Sequence, residues 1–94
     1  MDTQMHAIHF KADKKLLTFI QERLNKLEQF NDQIVSAEVF LKLDKDREKE
    51  NKIAEIKLHV PGKDMFAKKQ CKSFEEATNV AVEALRRQIM KDKR

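Results

Sequence analysis

The sequence is poor in the residues that form turns, disulfides and large aromatic cores. Its 94 residues include one Gly, one Pro and one Cys, and no Trp or Tyr. A single Cys cannot form an internal disulfide, which is what we expect of a protein in a reducing cytoplasm. A single Gly excludes a glycine-rich phosphate-binding loop. The Pro and the Gly are adjacent, at positions 61 and 62, and together predict a tight turn.

Long apolar runs and sets of catalytic residues are also missing. No segment approaches the roughly 18 apolar residues that a membrane span needs. Residues 1–10 lack the basic flank and apolar run of a signal peptide. The three His residues and the Cys are scattered, so they predict no metal site, and no nucleophile has an evident base and orienting partner. We therefore expect a cytoplasmic protein with no membrane partner, no cofactor, no small-molecule substrate and no enzymatic activity.

Positive charge is concentrated in the second half of the chain. The net charge is +4, and residues 53–94 carry ten cations against six anions, whereas residues 1–43 carry six of each. Uneven basic charge of this kind is typical of proteins that bind an anionic partner, most commonly a nucleic acid. A lysine-rich surface that serves only solubility is the alternative.

Two helices are predicted from apolar residues at helical spacing. The first begins at Lys14, after the N-cap Asp13, and ends around residues 30–32. The second follows Ser73 and Glu76, which fit a capping box, and extends towards the C-terminus.

Four strands are predicted from alternating or short apolar patterns, over residues 5–10, 34–43, 53–60 and 65–72. Residues 44–52, DKDREKENK, are too charged for a core and predict a solvated loop. The order β-α-β-β-β-α predicts an α+β fold. In it, two helices pack on one face of a four-stranded, mostly antiparallel sheet, and residues 1–94 form a single domain.

Five cations in the last nine residues form the strongest candidate site. Cations in the last turn of a helix oppose its dipole favourably, but that accounts for only one or two of them. Arg86 and Arg87 add forked donors that suit phosphate. We expect the last strand to bring Lys68, Lys69 and Lys72 beside this basic end, which predicts a phosphate-binding surface.

The second half of the sequence resembles the family of ribosome hibernation-promoting factors. The family is also called ribosome-associated inhibitor or sigma-54 modulation protein. The matching features are Val60-Pro61-Gly62, Ala67 in the next strand, the capped helix start at 73–77, and the ending LRRQIMKDKR. The resemblance implies the β-α-β-β-β-α fold and binding to 16S rRNA of the small ribosomal subunit, in the channel used by mRNA and tRNA. It implies inhibition of translation in stressed cells and, in many members, pairing of idle ribosomes.

The resemblance also implies which residues contact rRNA. On the second helix these are Arg86, Arg87, Lys91 and Lys93, with Arg94 beside them, and on the first helix Arg23 and Lys26. The charge-balanced loop 44–52 departs from the family, in which this hairpin is often rich in His or Arg. Longer members carry a further dimerisation domain, so the short form is expected here, and ribosome pairing would need this domain alone or a second factor.

Two other functions fit the residues. Phe40 and Phe66 occupy polar phases of their strands and could form the interface of a homodimer that pairs through a sheet edge. A domain similar to double-stranded-RNA-binding domains shares much of the predicted topology and would bind naked duplex RNA.

Overall fold

The fold is described here from a computed structural model, which covers residues 1–92; Lys93 and Arg94 lie outside the described residues. The elements follow the predicted order. They are β1 (Asp2–Ala7), α1 (Lys14–Leu27), β2 (Ser36–Leu43), β3 (Lys52–Val60), β4 (Lys63–Cys71) and α2 (Phe74–Asp92).

The sheet has the strand order β1-β2-β3-β4. β1 pairs with β2 in parallel, across the α1 connection, and the other two pairings are antiparallel. The predicted α+β fold with a mostly antiparallel sheet is confirmed, and the parallel β1–β2 pair makes the sheet mixed.

The core lies between the sheet and the two helices. Alternate residues of β2, β3 and β4 are buried, because successive strand side chains point to opposite faces. They pack against one stripe of each helix. The fully buried side chains of this layer include Val39, Leu41, Ile56, Leu58, Ile20, Leu24, Leu85 and Ile89. Within residues 1–92, no helix packs on the opposite face of the sheet, which we call the open sheet face.

Two boundaries differ from the sequence prediction. β1 begins at Asp2 and ends at Ala7, three residues earlier than predicted, because it pairs with Ser36–Leu41 and because His9 adopts a left-handed φ of 63° that breaks the strand. α1 ends at Leu27. After it, the backbone N–H groups of Glu28, Gln29 and Phe30 donate to carbonyls three residues earlier, instead of four as in an α-helix.

Local signals fix the helix starts and the turn. The N–H of Leu16 donates to Asp13 Oδ1 at 2.8 Å, and the N–H of Glu76 donates to Ser73 Oγ at 3.1 Å. The second cap is half of the predicted capping box, since the return bond from Ser73 N–H is not formed among residues 1–92. Gly62 has a φ of 80°, which suits the residue after Pro61 in a tight turn.

The direction of α2 decides which side chains can meet. β4 and α2 run antiparallel: Lys63 Nζ lies 2.7 Å from Asp92 Oδ1, and Gln88 Nε2 donates to the carbonyl of Phe66 at 2.8 Å. The Phe10 and Phe74 rings stack with centroids 5.0 Å apart just before α1 and at the start of α2. The two helices therefore run in the same direction, and their C-terminal halves lie side by side. Within residues 1–92, no helix is long and apolar enough to cross a membrane.

Candidate nucleic-acid interface

An open groove between the C-terminal halves of α1 and α2 brings three predicted site residues together. Arg23 and Lys26 form its α1 side, and Arg86 lies on its α2 side. Leu27, Phe30 and Val82 line it with apolar surface. We call this site the helix groove. These cations come from two elements that are far apart in sequence, so only the fold brings them to one groove.

Aromatic rings hold the two arginines of the helix groove. The guanidinium carbon of Arg23 lies 4.9 Å from the centre of the Phe19 ring, and that of Arg86 lies 5.9 Å from the centre of the Phe30 ring. A guanidinium above a ring face is stabilised by the ring quadrupole while its N–H edges stay available to an acceptor. The rings therefore orient the two arginines without using up their donors.

The carboxylate of Glu83 pairs with the guanidinium of Arg86 in the helix groove. Arg86 Nε lies 3.1 and 3.0 Å from the two carboxylate oxygens of Glu83, and Arg86 Nη2 lies 2.5 Å from Oε1. Arg87 Nη1 is farther, at 3.9 Å from the same oxygen. The hydrogen bonds from Arg86 lower the pKa of Glu83, and the same pairing raises the pKa of Arg86. Both groups are thus charged at neutral pH, and Glu83 holds Arg86 in place.

Arg87 and Lys91 lie beside the groove on the outer surface of α2. The side chain of Arg87 is 63% exposed, and Lys91 is also exposed, in the last turn of the helix. Lys93 and Arg94, predicted to contact rRNA, lie outside the described residues. Arg87 and Lys91 thus continue the row of cations on α2 beyond the helix groove, and Glu83 is the carboxylate among the residues that line the groove.

The lysines at the end of β4 do not join this surface, contrary to the sequence prediction. Because β4 and α2 are antiparallel, residues 68–72 lie at the N-terminal half of α2. Lys72 lies two residues before the start of α2 at Phe74, and that start is about 25 Å along the helix from Lys91 at 1.5 Å per residue. Lys68 is exposed on the open sheet face, opposite Glu55 of β3. Lys69 is half-buried on the helix-facing side.

Residues suited to metal binding do not converge in the described part of the chain. No group of three or more His, Cys, Asp or Glu residues within 1–92 could hold a metal ion. Cys71 is half-buried, and desolvation raises the pKa of its thiol, which makes it a packing residue rather than a reactive one.

Sequence reasoning missed Glu83 and Phe30. Glu83 precedes Arg86 and Arg87 by three and four residues, which is the spacing of ion pairs along a helix, so this signal was available. Phe30 lies after α1, and only the tertiary fold places it beneath Arg86.

Comparison with known protein families shows which family the chain belongs to. Residues 3–94 match the family described as sigma 54 modulation protein / S30EA ribosomal protein. The chain belongs to this family. The predicted resemblance to ribosome hibernation factors is thereby confirmed over nearly the whole sequence. The S30EA family is not enzymatic, which confirms the expectation that the chain is not an enzyme.

Solved structures show the same fold. A ribosomal subunit interface protein from Coxiella burnetii superposes with a TM-score of 0.89 at 18% identity, covering 99% of this chain and 98% of that one. The N-terminal domain of Protein Y from Thermus thermophilus has a TM-score of 0.83 at 20% identity, covering 97% and 98%. Comparison with curated protein sequences gives no match. At these identities the structures establish the shared fold.

Proposed function

We propose that this S30EA family member is a ribosome hibernation factor that inhibits translation by binding 16S rRNA in the mRNA–tRNA channel of the small subunit. Family membership supports a ribosomal role. A structural relative is titled a ribosomal subunit interface protein, which supports a site where the subunits meet. Binding to ribosomes would keep the protein in the cytoplasm.

The observation that carries the proposal is the helix groove. Arg23, Lys26 and Arg86 converge there from two helices, and Arg87 and Lys91 extend the positive surface along α2. The groove is partly open to solvent, so a phosphate backbone can reach its cations. Arginine presents forked donors to phosphate, and each phosphate contact releases counterions, so binding should weaken steeply as salt rises.

Recognition would depend mainly on the shape and charge of folded rRNA. The side chains of this surface are suited to phosphate and sugar contacts, which position a protein but read little sequence. Inhibition would be steric, because a bound domain would occupy the path of mRNA and tRNA. Pairing of idle ribosomes stays a prediction from the family resemblance.

Charge reversal on α2 tests the proposal. The Arg86→Glu/Arg87→Glu double variant should lose most co-sedimentation with small subunits at about 50 mM salt, because it replaces two phosphate donors with carboxylates. The matched control is Lys45→Glu/Lys49→Glu, which makes the same charge change in the exposed loop between β2 and β3 and should keep most of its binding.

Three results would count against this surface. They are an unchanged bound fraction for the α2 variant, equal losses for both variants, or wild-type binding that does not respond to salt between about 50 and 200 mM. Naked duplex RNA serves as a competitor. If it displaced the protein from subunits at equal nucleotide concentration, the chain would act as a general duplex binder instead.

A further inference from the structure

The helix groove has an apolar floor between its cations. Leu27 is buried at the base of the groove, and Phe30 and Val82 are half-buried beside it. The groove has a volume of about 380 Å³. That volume lies near the lower end of the range for small-molecule sites, so it suits a flat group of the size of one nucleobase.

The positions along the two helices define the ends of the groove. Arg86 lies over the Phe30 ring, with 5.9 Å from its guanidinium carbon to the ring centre. Because the helices run in the same direction, the residues two turns earlier on each, Arg23 and Asn79, lie together at the other end. The two ends are about 10 Å apart at 1.5 Å per residue. An arginine therefore lies at each end of the apolar centre.

Cations outnumber carboxylates in the lining of the groove. Arg23, Lys26 and Arg86 lie against one carboxylate, that of Glu83. Glu83 is paired with Arg86 by three contacts of 2.5 to 3.1 Å. Within residues 1–92, Arg23 and Lys26 form no ion pair. The charge of the lining thus favours an occupant that carries phosphates on either side of an apolar group.

Asn79 supplies a polar group at one end of the groove. It is exposed, and its amide forms no hydrogen bond within residues 1–92. By contrast, Gln88 of the same helix donates to the carbonyl of Phe66. A side-chain amide presents a donor and an acceptor side by side, the pattern that pairs with N6 and N7 of adenine. The Asn79 amide is therefore available to the edge of a base.

We propose that the helix groove binds one unpaired base of the RNA. The base lies on Leu27 and Val82, its edge forms hydrogen bonds with Asn79, and its flanking phosphates contact Arg23 and Arg86. This inference deepens the proposed rRNA contact and rests on it, because the same cations bind the phosphates. It adds a contact that reads the RNA to contacts that only position the protein.

The chemistry of the groove favours a base over other occupants. Duplex RNA keeps its bases paired and stacked, so only its backbone could reach the groove. An apolar side chain from a protein would cover Leu27 and Val82 but leave the Asn79 amide buried without a partner, which is costly. An unpaired nucleotide matches the apolar floor, the amide and the cations together.

RNA hairpins with and without one base test the contact directly. One labelled hairpin carries a single bulged adenosine, and the other carries an abasic residue at the same place, so both present the same phosphates. In anisotropy titrations, wild type should bind the adenosine hairpin about fivefold or more tightly, as expected for one base contact. With 2-aminopurine at the bulge, the emission should change in a saturable way as the base enters the groove.

Asn79→Ala separates the base contact from the phosphate contacts. The variant should bind both hairpins equally. It should also weaken binding to small subunits by a similar factor at every salt concentration, because a base contact releases no counterions, whereas Arg86→Gln should flatten the dependence of log K on log salt by about 0.7–0.9. The control is Gln4→Ala, which removes an exposed amide from β1 and should change neither measurement. Circular dichroism checks that each variant is folded.

Four results would overturn the inference. They are equal affinity of wild type for the two hairpins, no binding of either hairpin while small-subunit binding persists, an Asn79→Ala variant that still prefers the adenosine hairpin, and a wild-type dimer that Asn79→Ala dissociates. The last result would assign the groove to a second copy of the chain. Failure of the proposed function looks different, because Arg86→Glu/Arg87→Glu would then keep small-subunit binding. Failure of the base contact alone leaves that loss in place and removes only the difference between the hairpins.

Discussion

Removing the carboxylate of Glu83 should increase ribosome affinity. In the free protein Glu83 accepts three N–H contacts from Arg86 and lies 3.9 Å from Arg87, so an incoming phosphate must displace it from Arg86. Glu83→Gln keeps the size of the side chain and releases mainly one arginine. Each added phosphate contact steepens the dependence of log K on log salt by about 0.7–0.9. The affinity of Glu83→Gln relative to wild type should therefore grow by roughly threefold when the salt concentration falls from about 200 to about 50 mM.

A double-mutant cycle with Arg86→Gln shows whether the effect passes through Arg86. In the Arg86→Gln background, Glu83→Gln should increase the ribosome affinity only slightly, through Arg87, because the arginine that Glu83 mainly restrains has been removed. Binding of labelled variants to small subunits is measured from about 50 to 200 mM salt. Glu48→Gln, in the exposed β2–β3 loop, changes the charge equally and should have little effect. An equal gain with and without Arg86 would refute the reasoning, since Glu83 would then act only through total charge.

Three further predictions concern stability. Thr78 is fully buried and its hydroxyl has no partner within residues 1–92, so Thr78→Val should raise the free energy of unfolding by about 1 kcal/mol in urea titrations; a lower midpoint would show that the hydroxyl is satisfied. The carboxylates of Glu38 and Asp64 raise the pKa of His59 above its ordinary 6.5. The stability of wild type relative to His59→Gln should therefore be greatest below pH 6.5 and decline as the pH rises through the raised pKa. A difference that is constant or grows with pH would contradict this. Gly62→Ala should destabilise the protein by about 1 kcal/mol, because the left-handed φ of 80° strains an L-residue although a Cβ there meets no neighbour; thermal melting that matches wild type would disprove it.

Strong local signals allowed most of the fold to be predicted from sequence. The alternation in β2 and β3, the Asp13 cap and the Pro61-Gly62 turn are each encoded within a few residues, and all appear in the structure. β1 was misplaced because its pattern is weak: none of its residues is fully buried, and its bounds are set by pairing with Ser36–Leu41, about 35 residues away.

The candidate site was harder to predict because it depends on how distant elements pack. Lys68 and Lys72 are close to α2 along the chain, but strand alternation puts Lys68 on the far face and the antiparallel return of α2 puts Lys72 at its start. The meeting of Arg23 with Arg86 requires that the helices run side by side in the same direction. The relative direction of the two helices cannot be deduced from local sequence patterns.

The position of β1 has a consequence for how the sheet can open. β1 is an edge strand, it is only six residues long, and it buries no residue completely, whereas its neighbour β2 buries alternate residues. Local unfolding should therefore begin there, because releasing this strand exposes little apolar surface. Such an opening would free the outer hydrogen-bonding edge of β2 while the β2–β3–β4 meander stays intact. The molecule thus has a least stable segment at its N-terminus, and an extended strand from another chain could occupy the vacated edge.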